Sequence, residues 1–249
     1  MERLRTDRMQ RGGLVQTLAN FLFNITGGIR VWGWKGNERL GDCVAAAIED
    51  LIQAKGTATA STWRKVLYRL GFTPPSNRRT VQLYTKFLAT LNELPSATQG
   101  IDPATFLEWL RVQGEIVEWS AYPIGQDRTL SAVQAGYTYG GAVLTLALTE
   151  NMYNGFTDNH PWGIGNGPGN TPLWALNHAV ALVRNTGKEL VIATWDRNKV
   201  LTDPCADATI TAIYAVLTKQ DQWRANFTQL AAQLLALRTG ATTDPTPAP

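Results

Sequence analysis

The feature that most constrains the fold is a change in hydrophobic periodicity near Gly114. Before this residue, apolar side chains recur at helical spacing, most clearly in the segment that begins at Cys43. After it, three short apolar segments bounded by turn residues have the properties of strands: 142–148, 179–184 and 189–195. Helices in the first half followed by strands in the second predict an α+β fold rather than an alternating α/β sheet.

The same patterns predict further elements. We expect a strand at 115–120 and a tight turn at 185–188 that joins the last two strand segments into a hairpin. A loop rich in glycine and proline runs from residue 151 to 172, and loops of that length in compact domains usually serve a function. Other helices are predicted at 14–23, 62–70, 81–91, 103–113, 130–135, 206–217 and 221–238.

These boundaries divide the chain into four regions. Residues 1–30 form an arm with a short helix, residues 31–204 form the main domain, and residues 205–239 form C-terminal helices. The Thr/Pro-rich end, 240–249, is predicted to be disordered because it has too few apolar side chains to pack.

The composition excludes several classes of function. Charge is nearly balanced, with 23 Lys and Arg against 20 Asp and Glu, and no basic stripe indicates a nucleic-acid partner. No segment reaches the roughly 18 apolar residues of a membrane span, and the N-terminal segment lacks the apolar core of a signal peptide. The 2 cysteines and 2 histidines lack metal-ligand spacing. We therefore expect no nucleic acid, membrane, metal or cofactor.

Cys43 is the first candidate for chemistry. It follows Gly41 and Asp42 at the predicted start of a helix, where unbonded backbone N–H groups and the helix dipole stabilise a thiolate. The thiolate is the nucleophilic form of cysteine. The alternative is a cysteine that only fills space, since free cysteines are among the most buried residues. For Cys205, a buried thiol is the default interpretation.

His178 is the candidate base for such a nucleophile. It lies at the start of a predicted strand, from which a rigid sheet would project the imidazole over a cleft. The alternative is a histidine that only makes a hydrogen bond at a strand end. The other histidine, His160, lies in the glycine- and proline-rich loop.

The segment Leu-Asn-His-Ala-Val at 176–180, followed by an apolar strand and by a strand that ends in Thr194-Trp195, resembles the histidine region of papain-like cysteine peptidases. The segment Gly-Gly-Ala-Val-Leu at 140–144 resembles the strand that precedes this region. The resemblance covers roughly residues 32–195. It implies a helical N-terminal half that carries the cysteine, an antiparallel β-rich half that carries the histidine, and a cleft between them where Trp195 shields the imidazole.

Two further roles follow from the resemblance. Asn37 lies where the family carries a glutamine that helps to bind the oxyanion, and a simple turn residue is the alternative. The family orients its histidine with an asparagine, but this chain has Ala193 at that position. Asp196 is the best substitute, although strand alternation sends it to the opposite face unless the strand ends at Trp195. A solvated turn residue is the alternative for Asp196.

Two functions follow. The first is a thiol hydrolase that cleaves a peptide or amide bond in a peptide or protein substrate through Cys43 and His178. The second is a catalytically inert papain-like scaffold with a structural role, because Gly-Asp-Cys variants resemble proteins of actinobacteria and their phages, some encoded near virion genes. Its assembly contacts would use the N-terminal arm, the 151–172 loop and the C-terminal tail. A cytoplasmic or virion-associated location fits these functions.

Overall fold

The computed structural model describes residues 41–56, 77–95, 100–155, 160–165, 167–173, 177–185, 189–195, 197–219 and 221–222. Its helices are α1 (Cys43–Gly56), α2 (Asn77–Thr90), α3 (Pro103–Val112), α4 (Arg128–Tyr139), α5 (Glu150–Asn154) and α6 (Asp203–Thr209). Its strands are β1 (Glu118–Tyr122), β2 (Ala142–Ala147), β3 (Asn177–Asn185), β4 (Glu189–Thr194), β5 (Arg197–Thr202) and β6 (Ile210–Leu217).

The strands form one six-stranded sheet in the order β1-β6-β2-β3-β4-β5. Each neighbouring pair is antiparallel. β3, the strand that carries His178, therefore lies inside the sheet between β2 and β4. The predicted α+β fold is confirmed, and within the described residues three helices precede the first strand.

One face of the sheet packs against α1. This face is lined along β3 and β4 by small side chains, including Ala179, Ala181 and Ala193, which let the helix approach the strands closely. α2 and α3 pack on the same cluster, where the rings of Phe87 and Phe106 meet edge to face with centroids 5.1 Å apart. The α1 helix is thus held by apolar contacts with both the sheet and its neighbouring helices.

The other face of the sheet packs against α4 and α6. Its cluster includes Leu144, Val180 and Ile192 from the central strands, and the rings of Trp162 and Trp195 join them. Adjacent residues of β3 therefore belong to two different cores, as strand alternation requires. The sheet separates these two apolar layers.

One predicted element is wrong. Residues 206–217 are not a single helix, because α6 ends at Thr209 and Ile210–Leu217 is a strand that pairs with both β1 and β2. This segment is a short run of mainly apolar residues, in which periodicity cannot distinguish a buried strand from a helix. The sheet therefore includes residues beyond 204, the predicted end of the main domain.

The central strands and helices agree with prediction to within a few residues. β2, β3 and β4 occupy the three predicted strand segments, and β3 pairs with β4 as the predicted hairpin. The predicted 151–172 loop is interrupted at its start by α5, and β5 is a strand that the sequence pattern did not indicate. The predicted helices at 14–23 and 62–70, the N-terminal arm, almost all of 221–238 and the tail lie outside the described residues.

Candidate active site

Cys43 is the first residue of α1, as predicted. The backbone carbonyl of Asp42 accepts the hydrogen bond from the N–H of Ala46 at 2.9 Å, which places Asp42 at the N-cap position. Residues 44–52 of α1 are buried, whereas Cys43 itself keeps part of its surface accessible. The thiol therefore lies at the positive end of a helix and at the boundary of the core.

Opposing effects act on the thiol of Cys43. Burial raises its pKa, the backbone N–H of Ala179 lowers it, and the charge of Asp42 raises it again. The N–H groups of Val44 and of Cys43 itself act with Ala179 to lower the pKa. The net shift is upward, so the thiol is protonated at neutral pH in the resting protein.

His178 is the second residue of β3 and is 6% exposed. Its Nε2 lies 2.6 Å from Oγ1 of Thr194 on β4. Burial lowers the pKa of the imidazole to about 3, so the ring is neutral at neutral pH. A neutral imidazole has one protonated nitrogen, and when Nε2 donates to the Thr194 hydroxyl, Nδ1 keeps a lone pair that can accept a proton.

Trp195 covers the imidazole of His178. The two rings are stacked, with centroids 4.2 Å apart and an interplanar angle of 16°. Trp195 follows the last residue of β4 and has a left-handed backbone with φ of 42°, which a bulky residue rarely adopts. This turn directs the indole over the histidine, the position that the family resemblance implied. The stack and the Thr194 contact together fix the orientation of the ring.

The structure places the thiol of Cys43 against the backbone of the residue that follows His178 in β3. The sulfur of Cys43 lies against the N–H of Ala179, and Ala179 directly follows His178 in the chain. Cys43 packs against the α1-side cluster, whereas the ring of His178 lies with Trp195, which belongs to the opposite cluster. Both residues therefore lie at the beginning of β3, with the thiol on the α1 side of the sheet and the imidazole stacked on Trp195 of the opposite cluster.

The structure shows a hydrogen-bond partner of His178, Thr194, that the sequence did not indicate. Ala193 pairs with Ala181 and belongs to the α1-side cluster, so its side chain points away from the imidazole. Alternation then places Thr194 on the face that carries His178. Asp196, the predicted orienting residue, and Asn37, the predicted oxyanion residue, lie outside the described residues.

Strand alternation was the sequence signal that could have identified Thr194 as a neighbour of His178, but only if the register of β3 with β4 had been known. A register shift between Leu182 and Arg184 interrupts the pairing of β3 with β4. Such an irregularity changes which residues lie opposite each other, and no local pattern in the sequence reveals it. The pairing of Thr194 with His178 therefore depends on the assembled sheet.

A second aromatic layer borders the site. Trp162 packs edge to face on Trp195, with ring centroids 6.1 Å apart. Tyr153 of α5 also packs edge to face on Trp195, with ring centroids 6.1 Å apart. Trp162 is 4% exposed, whereas Tyr153 is 50% exposed. The aromatic rings near the imidazole therefore include a buried one, Trp162, and one that is half exposed to solvent, Tyr153.

An ion cluster holds α1 against the helices beside it. Nη1 of Arg79 on α2 lies 2.7 Å from Oε1 of Glu49, a fully buried residue of α1. Nη2 of the same guanidinium lies 2.5 Å from Oε2 of Glu115, which follows α3. The charge of Glu49 is thus paired inside the α1-side core, and α1 is linked to both neighbouring helical segments.

Cys205 does not belong to the candidate site. It is a free thiol buried in α6, its Sγ lies 3.9 Å from Sδ of Met152, and burial raises its pKa to about 11. Such a thiol is inert at neutral pH. The predicted role of a buried structural thiol agrees with this environment.

No protein-family model matches the chain, and no curated protein matches it in sequence. Among the described residues, no three His, Cys, Asp or Glu side chains are grouped in a way that could hold a metal ion. Within the same part of the chain, none of the helices has the length and apolar character needed to cross a membrane.

Proposed function

We propose that the protein is a thiol hydrolase that cleaves a peptide or amide bond, with Cys43 as nucleophile and His178 as base and then acid. The supporting observation is the environment of His178, whose Nε2 contacts a hydroxyl while its ring is stacked under Trp195. The sulfur of Cys43, at the start of α1, contacts the N–H of Ala179, the residue that follows His178. The tautomer in which Nε2 donates to the Thr194 hydroxyl leaves Nδ1 with a lone pair for chemistry with Cys43.

The reaction begins from a neutral pair. Nδ1 of His178 accepts the proton of the Cys43 thiol as the sulfur attacks the carbonyl carbon of the substrate, and the carbonyl oxygen becomes an oxyanion. The backbone N–H of Cys43 at the start of α1, with Asn37 as its proposed partner, donates to this oxygen. When the tetrahedral intermediate collapses, the C–N bond breaks and the imidazolium returns its proton to the leaving amine.

The second half of the reaction restores the enzyme. Water attacks the thioester on Cys43 and gives one proton to Nδ1 of His178, and the C–S bond breaks as the carboxylic acid product forms. The proton on the imidazolium then returns to the sulfur. No metal or redox partner enters this sequence, since each proton moves between sulfur, imidazole, amine and water.

The experiment is a cleavage assay with a mixture library of internally quenched peptides, with the cleaved bonds identified by mass spectrometry. We expect cleavage by the wild-type protein and by Cys205→Ala, and none above background by Cys43→Ala or His178→Ala. Intact-protein mass spectrometry of the wild type during turnover should detect an acyl group on Cys43. Cleavage that persists in the folded Cys43→Ala variant would refute the proposal.

A second function, a catalytically inert scaffold with an assembly role, has one observation in its favour. Burial and the charge of Asp42 keep the Cys43 thiol protonated, and burial keeps His178 neutral, so no ion pair exists at rest. A scaffold retains the aromatic stack for packing alone. It predicts that the wild-type protein cleaves no member of the library and that Cys43→Ala changes neither stability nor oligomeric state.

A further inference from the structure

We propose that Tyr153 contacts the part of the substrate that departs with the amine and favours an aromatic side chain there. This inference rests on the proposed hydrolysis by Cys43 and His178. It adds a substrate class to that site: peptides with an aromatic residue directly after the cleaved bond.

The geometry around the imidazole supports this role. The Trp195 ring lies 4.2 Å from that of His178, and the Tyr153 ring lies 6.1 Å from that of Trp195 at an angle of 81°. Trp195 is only 9% exposed, so it offers little surface to a ligand. Tyr153 is 50% exposed and therefore presents accessible aromatic surface at the end of this series of rings.

Tyr153 is also held on a fixed support. The hydroxyl of Thr149 accepts the N–H of Met152 at 3.0 Å and caps α5, and Met152 is buried beneath the helix. At the other end, Nζ of Lys199 donates to the carbonyl of Gly155 at 3.1 Å. An exposed aromatic ring on a rigid element is well suited to recognition, because little conformational freedom is lost on contact.

The mechanism determines which part of the substrate reaches Tyr153. The imidazolium of His178 must give its proton to the leaving nitrogen, so this nitrogen lies next to the imidazole in the transition state. The residue attached to that nitrogen then extends over the surface beside the imidazole. Among the described residues, the exposed aromatic side chain on that surface is Tyr153.

The experiment compares two internally quenched peptides that differ only in the residue after the cleaved bond, phenylalanine in one and glycine in the other. We expect the wild-type protein to prefer phenylalanine in kcat/KM. Tyr153→Ala should reduce kcat/KM on the phenylalanine peptide by roughly three- to tenfold, the range of one aromatic pair contact. The same variant should change kcat/KM on the glycine peptide little. Tyr153→Phe should keep the preference, as should Tyr137→Ala, which removes an exposed tyrosine from α4.

Each other result overturns the inference. Cleavage without a preference, or a preference that survives Tyr153→Ala, rejects the role of Tyr153 and leaves the hydrolase intact. An equal loss on both peptides assigns Tyr153 a structural role. Failure of the wild-type protein to cleave either peptide or any library member rejects the inference together with the proposed function.

Discussion

Nε2 of His178 lies 2.6 Å from Oγ1 of Thr194, and both groups are buried. A hydroxyl is neutral, so it forms a hydrogen bond to the imidazole without attracting a second proton to the ring. A carboxylate in the same place would favour the imidazolium. The neutral partner agrees with the lowered pKa of His178 and with an imidazole that is uncharged at rest.

The Thr194 hydroxyl should be essential for this arrangement. Thr194→Val keeps the shape of the side chain but leaves Nε2 of His178 buried without a partner, which should cost about 1–3 kcal/mol in the free energy of unfolding. If the hydrolase proposal holds, loss of this contact should also raise the activation free energy of the reaction. About 1.4 kcal/mol of activation free energy corresponds to a tenfold change in rate, so kcat should fall about tenfold or more.

Thr194→Ser is the matched control, since it retains the hydroxyl. It should restore most of kcat and should keep the Nε2–H tautomer of His178 in ¹⁵N NMR spectra. If Thr194→Val shows the same tautomer and the same kcat as the wild type, Thr194 does not position the imidazole.

The stability of the protein should depend on pH through His178. Its folded pKa of about 3 lies below the ordinary value of 6.5, so between these values the unfolded chain binds a proton that the folded chain excludes. Stability from this group is therefore complete above about pH 6.5 and is lost as pH falls toward 3, with a slope of up to about 1.4 kcal/mol per pH unit.

Urea unfolding at pH 7 and pH 5 measures this slope. His178→Gln removes the titrating group and keeps an amide that can bond to Thr194. The variant should lose less stability than the wild type between the two pH values, whatever its absolute stability. Equal losses in both proteins would mean that the imidazole has the same pKa in the folded and unfolded states.

Alkylation of Cys43 should be slow at neutral pH. Its pKa is raised by burial and by Asp42, so the thiolate fraction at pH 7 is below that of an unperturbed thiol. In a Cys205→Ala background, the rate with iodoacetamide should be lower than for a cysteine peptide and should rise only above the pH at which the peptide reacts. Mass spectrometry of the labelled peptide gives the rate.

Asp42→Asn tests the cause of this shift. Removing the negative charge should lower the pH at which the Cys43 labelling rate rises, and the rate at pH 7 should increase. Rapid labelling of the wild type near pH 6 would instead indicate a thiolate–imidazolium pair, in conflict with the buried neutral pair described above.

The buried ion cluster should be a major stabilising contact of α1. Arg79→Leu leaves Glu49 buried with its charge uncompensated by the guanidinium, and removal of one partner from a buried pair costs about 3–5 kcal/mol. Glu115→Gln should cost less, because Glu115 is 32% exposed at its side chain and water can replace the contact.

The double variant Arg79→Leu/Glu49→Leu should recover much of the loss, since neither partner of this pair is then left without the other. Chemical unfolding of the four proteins gives the free energies. If Arg79→Leu destabilises no more than Glu115→Gln, the cluster does not hold α1 in place.

The sequence was sufficient for elements whose pattern is local. The start of α1 at Cys43 follows from a glycine and an N-cap residue before an apolar run with helical spacing. The start of β3 near His178 and its hairpin with β4 follow from two apolar segments separated by turn residues. Neighbouring residues carry these signals, so no knowledge of the tertiary contacts was needed.

The 210–217 segment shows where local patterns fail. Its apolar residues suit a helix or a buried strand equally well, and the choice is made by the hydrogen bonds that β1 and β2 offer on either side. The sequence predicted a helix here because strand pairing depends on residues far apart in the chain, which a local pattern does not reveal.

The hydrogen-bond partner of His178 also depends on contacts between residues far apart in the chain. The sequence determined that a cysteine begins a helix and that a histidine begins a strand, and the family resemblance proposed that they act together. Only the assembled sheet, with its register shift beside Leu182, turned Ala193 toward α1 and Thr194 toward the imidazole. Strand register depends on side-chain packing between distant segments, and the sequence of one strand does not specify it alone.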